Sequence, residues 1–163
     1  MGDLKAVTVL VVDDHQNMRQ IWLTVLKGFG IRKIVQASDA ATALEILRDQ
    51  PIDIAVIDVI MPDILGTELV TLIRRADDSK NKLLPIIICT ADTRRSAIYQ
   101  LINAGADEIL TKPVRPDAIW QRLVSVVNHR RQFLKTDTYF GPDRRRVDDP
   151  SYKGRDRRES AFL

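Results

Sequence analysis

The chain has 163 residues, 45% hydrophobic and 29% charged, the balance of a folded globular protein and not of a disordered or fibrous one. A single cysteine and two histidines exclude a disulfide framework and leave too few soft ligands for a structural zinc site. The net charge of +3 hides an asymmetry: residues 1–128 sum to −1, whereas residues 129–163 carry ten Lys/Arg against six Asp/Glu.

Five short apolar runs alternate with amphipathic stretches. The first, Val7 to Val12, precedes a helical pattern of Met18, Ile21, Trp22, Val25, Leu26 and Phe29 that Gly28 and Gly30 bring to an end. Ile34 to Ala37 is followed by a second pattern, with Ser38 or Asp39 as N-cap and Ala40, Leu44 and Leu47 at helical spacing. Ile54 to Ile57 precedes a third, Gly66 to Ala76. Ile86 to Cys89 precedes a fourth, from about Arg94 to Ala104, with Gly105 as its stop. Ile109-Leu110 precedes a fifth that begins at Pro116, a favoured first-turn residue, and fades near Phe133. Runs rich in Val and Ile at nearly every position read as strands buried on both faces. The alternation predicts an α/β protein: a flavodoxin-like (βα)5 doubly wound parallel sheet of order 2-1-3-4-5, with an irregular C-terminal extension. The expected division is a domain over 1–133 and an Arg-rich tail over 134–163. No apolar run approaches the ~20 residues of a membrane span, and no signal peptide is visible, so a cytoplasmic protein is expected.

Sites in such sheets form outside the carboxyl ends of the strands. The first strand ends in Asp13-Asp14, the third in Asp58 and the fourth in Thr90, and the fifth runs into Lys112-Pro113. Three converging carboxylates repel one another unless a cation intervenes. An all-oxygen site suits Mg²⁺. A carboxylate can itself attack a phosphoryl group, with Lys112 clamping one phosphoryl oxygen and Thr90 bonding another. His15 adjoins the acidic pair and reads as a solvated helix-start residue. Trp22 and Trp120 lie on apolar helix faces and read as core, as does Cys89.

Taken together, Val11-Val12-Asp13-Asp14, Asp58-Val59-Ile60-Met61-Pro62 with Gly66, Thr90-Ala91 and Lys112-Pro113 resemble the motif set of the response-regulator receiver domain of the CheY-like single-domain type. The resemblance spans residues 7 to about 130. It implies that Asp58 is the phosphoacceptor, that Asp13, Asp14, Asp58 and the backbone carbonyl of Ile60 hold Mg²⁺, that Thr90 is the switch hydroxyl and that Lys112 binds phosphate. It also implies a cis peptide before Pro113. Two positions depart from the family. Ile109 stands where the family carries an aromatic that swings inward when the Thr engages phosphate. Ile60, two residues after the phosphoacceptor, has no polar atom in its side chain to orient an attacking water, which predicts slow dephosphorylation. A haloacid-dehalogenase-type phosphatase also uses a strand-end Asp, but with Asp-x-Asp, whereas Asp13-Asp14 are adjacent.

The tail carries a repeat: Tyr139-x-Gly141-x-Asp143-Arg144-Arg145 returns as Tyr152-x-Gly154-x-Asp156-Arg157-Arg158. One reading is a disordered, solubilising basic extension. A second starts from the similarity to Arg-rich tails of CheY-like effectors that bind cyclic di-GMP, and takes Arg144, Arg145, Arg146, Arg157 and Arg158 as nucleotide contacts through bidentate guanine recognition. Other polyanions are a third. The functional expectation is a response regulator, not an enzyme, that accepts a phosphoryl group from a histidine kinase or phosphotransfer protein and acts by contact with a downstream protein target. The alternative is an effector whose tail binds a cyclic dinucleotide and controls docking. The roughly 30 residues after the last helix are fewer than a domain needs, so no specific DNA binding is expected.

Overall fold

The computed structural model describes residues 4–144 and 161–162. After a 3₁₀ turn at Leu4–Ala6 the chain runs β1 (Thr8–Val12), α1 (Gln16–Gly28), β2 (Lys33–Ala37), α2 (Ala40–Asp49), β3 (Ile54–Asp58), α3 (Gly66–Arg75), β4 (Ile86–Thr90), α4 (Arg95–Ala104), β5 (Glu108–Thr111) and α5 (Pro116–Asn128). The five strands form one parallel sheet of order β2-β1-β3-β4-β5. This is the doubly wound arrangement expected from the alternation of elements.

The buried strand residues divide between two cores, because successive side chains point to opposite faces. Val9, Val11, Val56, Ile87 and Cys89 meet Trp22 and Leu26 of α1 and Ile119, Leu123 and Val126 of α5. Leu10, Val12, Ile57 and Ile88 meet Ala43 and Leu47 of α2, Leu69, Val70 and Ile73 of α3 and Leu101 of α4. Fully burying a side chain such as Leu26 or Ile88 contributes roughly 2 kcal/mol. Trp22 is a core residue. Trp120 sits at the rim, 37% exposed, with Phe29 edge-on at 5.1 Å. Burial raises the thiol pKa of Cys89, so it stays a packed thiol.

The helix ends follow their local chemistry. The Asp39 side chain accepts from Thr42 N–H at 2.7 Å and caps α2. Gly105, at φ +110°, closes α4 in a left-handed conformation that side chains disfavour. The last helix is shorter than its periodicity predicts: α5 stops at Asn128, where the apolar spacing ends with Val127.

The stretch expected to be irregular holds a second, antiparallel sheet of order β7-β6-β8, made of β6 (Phe133–Lys135), β7 (Phe140–Pro142) and β8 (Ala161–Phe162). Tertiary contacts account for it. The Phe133 ring lies 4.9 Å from the guanidinium carbon of Arg74, and the Tyr139 hydroxyl donates to the Pro142 carbonyl at 2.8 Å. A side chain at Gly141 would meet the Cα of Gly105 at 2.9 Å, so two backbones touch where α4 ends. Strands this short do not form alone. Here Phe133, Leu134, Tyr139 and Phe140 are all buried.

Candidate functional site

The parallel register brings the carboxyl ends of β1, β3 and β4 level, with Val12 beside Ile57 and Asp58 beside Cys89. Asp13 and Asp14 follow β1, Asp58 is the last residue of β3, Thr90 the last of β4, and Lys112 follows β5. Asp13 is buried, and its Oδ1 accepts the His15 backbone N–H at 2.9 Å. The Arg19 guanidinium donates to the Asp13 carbonyl at 2.7 Å and ties the loop to α1.

Asp58 is buried, and Lys112 Nζ lies 2.7 Å from its Oδ1. Burial pushes the Asp58 carboxyl above its ordinary pKa, against the pull of Lys112, and the neighbouring Asp13 and Asp14 charges push the same way. Burial alone would lower the Lys112 ammonium, but the hydrogen bond and charge of Asp58 outweigh it and hold its pKa above the usual value. Lys112 is further placed by its backbone N–H, which donates to the Thr90 carbonyl at 2.8 Å. The Lys112–Pro113 peptide is cis, as the resemblance implies. Gly66 opens α3 directly against the phosphoacceptor strand: a Cβ there would fall on the Asp58 carbonyl oxygen, and Gly66 N–H donates to the Val59 carbonyl at 2.7 Å.

Ligand-capable atoms of Asp13, Asp14, His15 and Asp58 all lie within 4.8 Å of one another. Asp14 Oδ1 is buried and accepts no hydrogen bond. A buried oxygen without a donor is costly unless a cation satisfies it. The three carboxylates are hard oxygen donors, so the cluster is compatible with Mg²⁺. Thr90 is buried, and its hydroxyl oxygen accepts the Asp92 backbone N–H at 3.0 Å at the entry to α4. Ile60 lies in the loop after β3 with its side chain 67% exposed. Ile109 is half-buried in β5 opposite Ile88 and packs on the α2–α3–α4 core.

The structure thus gathers Asp13, Asp14, Asp58 and Lys112, with Thr90 on the adjacent strand end. Of the predicted tail contacts, Arg144 lies with its guanidinium 4.1 Å from the Tyr139 ring centre and 5.9 Å from that of Tyr99. Arg145, Arg146, Arg157 and Arg158 fall outside the described residues.

Sequence reasoning overlooked two buried charges. Arg74 is fully buried and donates to the carbonyls of Gly105 (3.1 Å), Lys82 (2.9 Å) and Leu84 (2.6 Å) and to Asp107 Oδ2 (2.8 Å). Its signal was its place, four residues after Val70 on the apolar stripe of α3. Glu108 is buried between Ser125, Arg122 and Arg131.

Comparison with known proteins agrees with this geometry. Residues 9–124 match the family model of the response regulator receiver domain. The chain is 31% identical over 119 residues to the chemotaxis protein CheY-3 of Vibrio cholerae, covering 73% of this chain and 90% of that protein. It is 30% identical over 118 residues to the chemotaxis protein CheY of Pseudomonas aeruginosa, covering 72% and 94%. The solved structure of the chemotaxis response regulator CheY4 of Vibrio cholerae superposes with a TM-score of 0.68 at 30% identity, over 74% of this chain and 98% of that one. The chain therefore belongs to the response regulator receiver domain family, with a CheY-like receiver followed by a short antiparallel sheet.

Proposed function

We propose that this receiver accepts a phosphoryl group on Asp58 in a Mg²⁺-dependent reaction, from a histidine kinase or a phosphotransfer protein, and signals by docking on a downstream protein. The observation that carries the reading is the buried Asp58 carboxylate, held 2.7 Å from Lys112 Nζ beside Asp13 and Asp14. Stretches similar to this chain also occur within sensor histidine kinases, such as AruS of Pseudomonas aeruginosa at 32% identity over 125 residues.

In the reaction, an Asp58 carboxylate oxygen forms a bond to phosphorus. The donor's P–N bond breaks, and its electron pair stays on the imidazole nitrogen. Lys112 pairs with a phosphoryl oxygen in place of the carboxylate it now holds. Thr90 exchanges its bond to Asp92 for one to the phosphoryl group, which frees the entry to α4. Asp13, Asp14, Asp58 and the Ile60 carbonyl would hold Mg²⁺, which when bound neutralises charge gathering on the phosphoryl oxygens. The protein acts as a cytoplasmic signalling component and not as a turnover enzyme. Its receiver body spans 1–133 and its Arg-rich tail 134–163.

Incubation with acetyl phosphate and Mg²⁺, followed by intact-mass spectrometry, tests this. Wild type should gain one phosphoryl group and Asp58→Asn none. Equal labelling of the two would refute the assignment.

The alternative, in which the tail binds cyclic di-GMP and governs docking, has one described contact in its favour: Arg144 stacks on Tyr139 while its Nε is buried without a hydrogen-bond partner. Titration with cyclic di-GMP and cyclic di-AMP at two salt concentrations decides it. Equal affinities that collapse with salt would leave only a polycation.

A further inference from the structure

His15 is the residue at this site whose chemistry the function above leaves unused. Its backbone is pinned: the N–H donates to Asp13 Oδ1 at 2.9 Å, and the carbonyl accepts from Arg19 N–H at 3.1 Å as the N-cap of α1. Its side chain makes no capping hydrogen bond. The ring is instead turned onto the carboxylates, with Nδ1 3.0 Å from Asp14 Oδ1 and 3.4 Å from Asp13 Oδ1. That same Asp14 oxygen is the buried atom that accepts no hydrogen bond.

Donors on one ion at metal–ligand distances of about 2.0–2.2 Å lie at most about 4.4 Å apart. The four side chains already offer atoms within 4.8 Å of one another, so a rotamer adjustment closes the set. The ring is 66% exposed and free to make it. Three carboxylates alone favour a hard ion such as Mg²⁺. An added imidazole nitrogen raises affinity for first-row transition ions, because nitrogen donors suit them and Mg²⁺ gains little from nitrogen.

We propose that His15 is a ligand of the cation at this site and shifts its preference from Mg²⁺ towards Mn²⁺ and Co²⁺. This rests on the cation-binding reading of the acidic cluster. Its place in the chain supports it: the imidazole follows Asp14 directly, so the turn that aims the carboxylates also aims the ring.

The test is calorimetric titration of Mg²⁺, Mn²⁺ and Co²⁺ into wild type, His15→Asn, His15→Gln and Asp14→Asn, with the visible absorption of bound Co²⁺ as a second readout. Asn is a favoured N-cap, so His15→Asn keeps the start of α1. The expected result is a fall of about tenfold in the Co²⁺-to-Mg²⁺ affinity ratio in both His15 variants. Mg²⁺ affinity should fall far less than Co²⁺ affinity, and the Co²⁺ spectrum should lose its nitrogen-ligand character. An unchanged ratio and spectrum in both variants would overturn the role of His15 while leaving the cation site intact. Failure of wild type to bind any of the three ions, or wild-type affinity in Asp14→Asn, would overturn the cation site itself and this proposal with it.

Discussion

Arg74 and Phe133 are far apart in sequence, yet the guanidinium of one lies under the ring of the other, 4.9 Å from guanidinium carbon to ring centre. The contact joins the C-terminal end of α3 to the first strand of the appended sheet. Arg74 also bridges the Gly105 carbonyl at the end of α4 and Asp107 just before β5. One buried cation therefore ties two helices, a strand and the appended sheet together.

Replacing Arg74 with Met should leave the partly buried Asp107 without the guanidinium that bonds it, at a cost of about 3 kcal/mol. Burial already raises the Asp107 carboxyl above its ordinary pKa, against the pull of Arg74. With Arg74 gone, the folded state favours the protonated acid further. A raised carboxyl pKa means that stability is greatest below the unfolded value of about 3.9 and is lost as pH rises through the folded one. The deficit of Arg74→Met against wild type should therefore shrink as pH falls from 7 towards 4. Denaturant unfolding at several pH values measures it, and a pH-independent deficit would contradict the role given to Asp107.

Gly66→Ala should disturb the phosphoacceptor directly, since the new Cβ falls on the Asp58 carbonyl oxygen. Overpacking of this kind costs about 1–3 kcal/mol. Labelling by acetyl phosphate should slow in parallel, because the strand end must move. If both stability and labelling match wild type, the close approach is not a constraint.

Ile60, exposed two residues beyond Asp58, has no polar side-chain atom to orient an attacking water. Ile60→Gln should shorten the lifetime of the phosphorylated protein several-fold and leave its formation rate nearly unchanged. Decay followed by mass spectrometry after removal of phosphodonor checks this. Equal lifetimes would place the control of hydrolysis elsewhere.

Tyr139→Phe removes the hydroxyl that donates to the Pro142 carbonyl and should cost about 1 kcal/mol. Hydrogen exchange across residues 133–142 should rise while exchange in β1 and β3 stays unchanged. Burial raises the Tyr139 phenol above its ordinary pKa. The sheet should accordingly hold until pH passes the ordinary tyrosine value of about 10, and then weaken as pH climbs towards the folded value. Faster exchange spread over the whole receiver would mean that the hydroxyl supports more than the appended sheet.

The receiver body is legible in its chain because its determinants are local. The short Val/Ile runs, the helical spacing of Leu and Val, the Asp39 cap and the Gly105 stop each act within a few residues, and parallel topology then forces Asp13, Asp14, Asp58 and Thr90 to one edge. Polar residues at the strand ends thus belong to a common site by topology alone. The appended sheet was not legible. Its strands are two or three residues long and carry no period. Their stability comes from contacts with Arg74 and Gly105, residues of the body that nothing in the tail points to. The ring of His15 belongs to the same class. Adjacency to Asp14 was visible, but the direction of the side chain follows from the turn that Asp13 and Arg19 impose, and only packed three-dimensional contacts set such a direction.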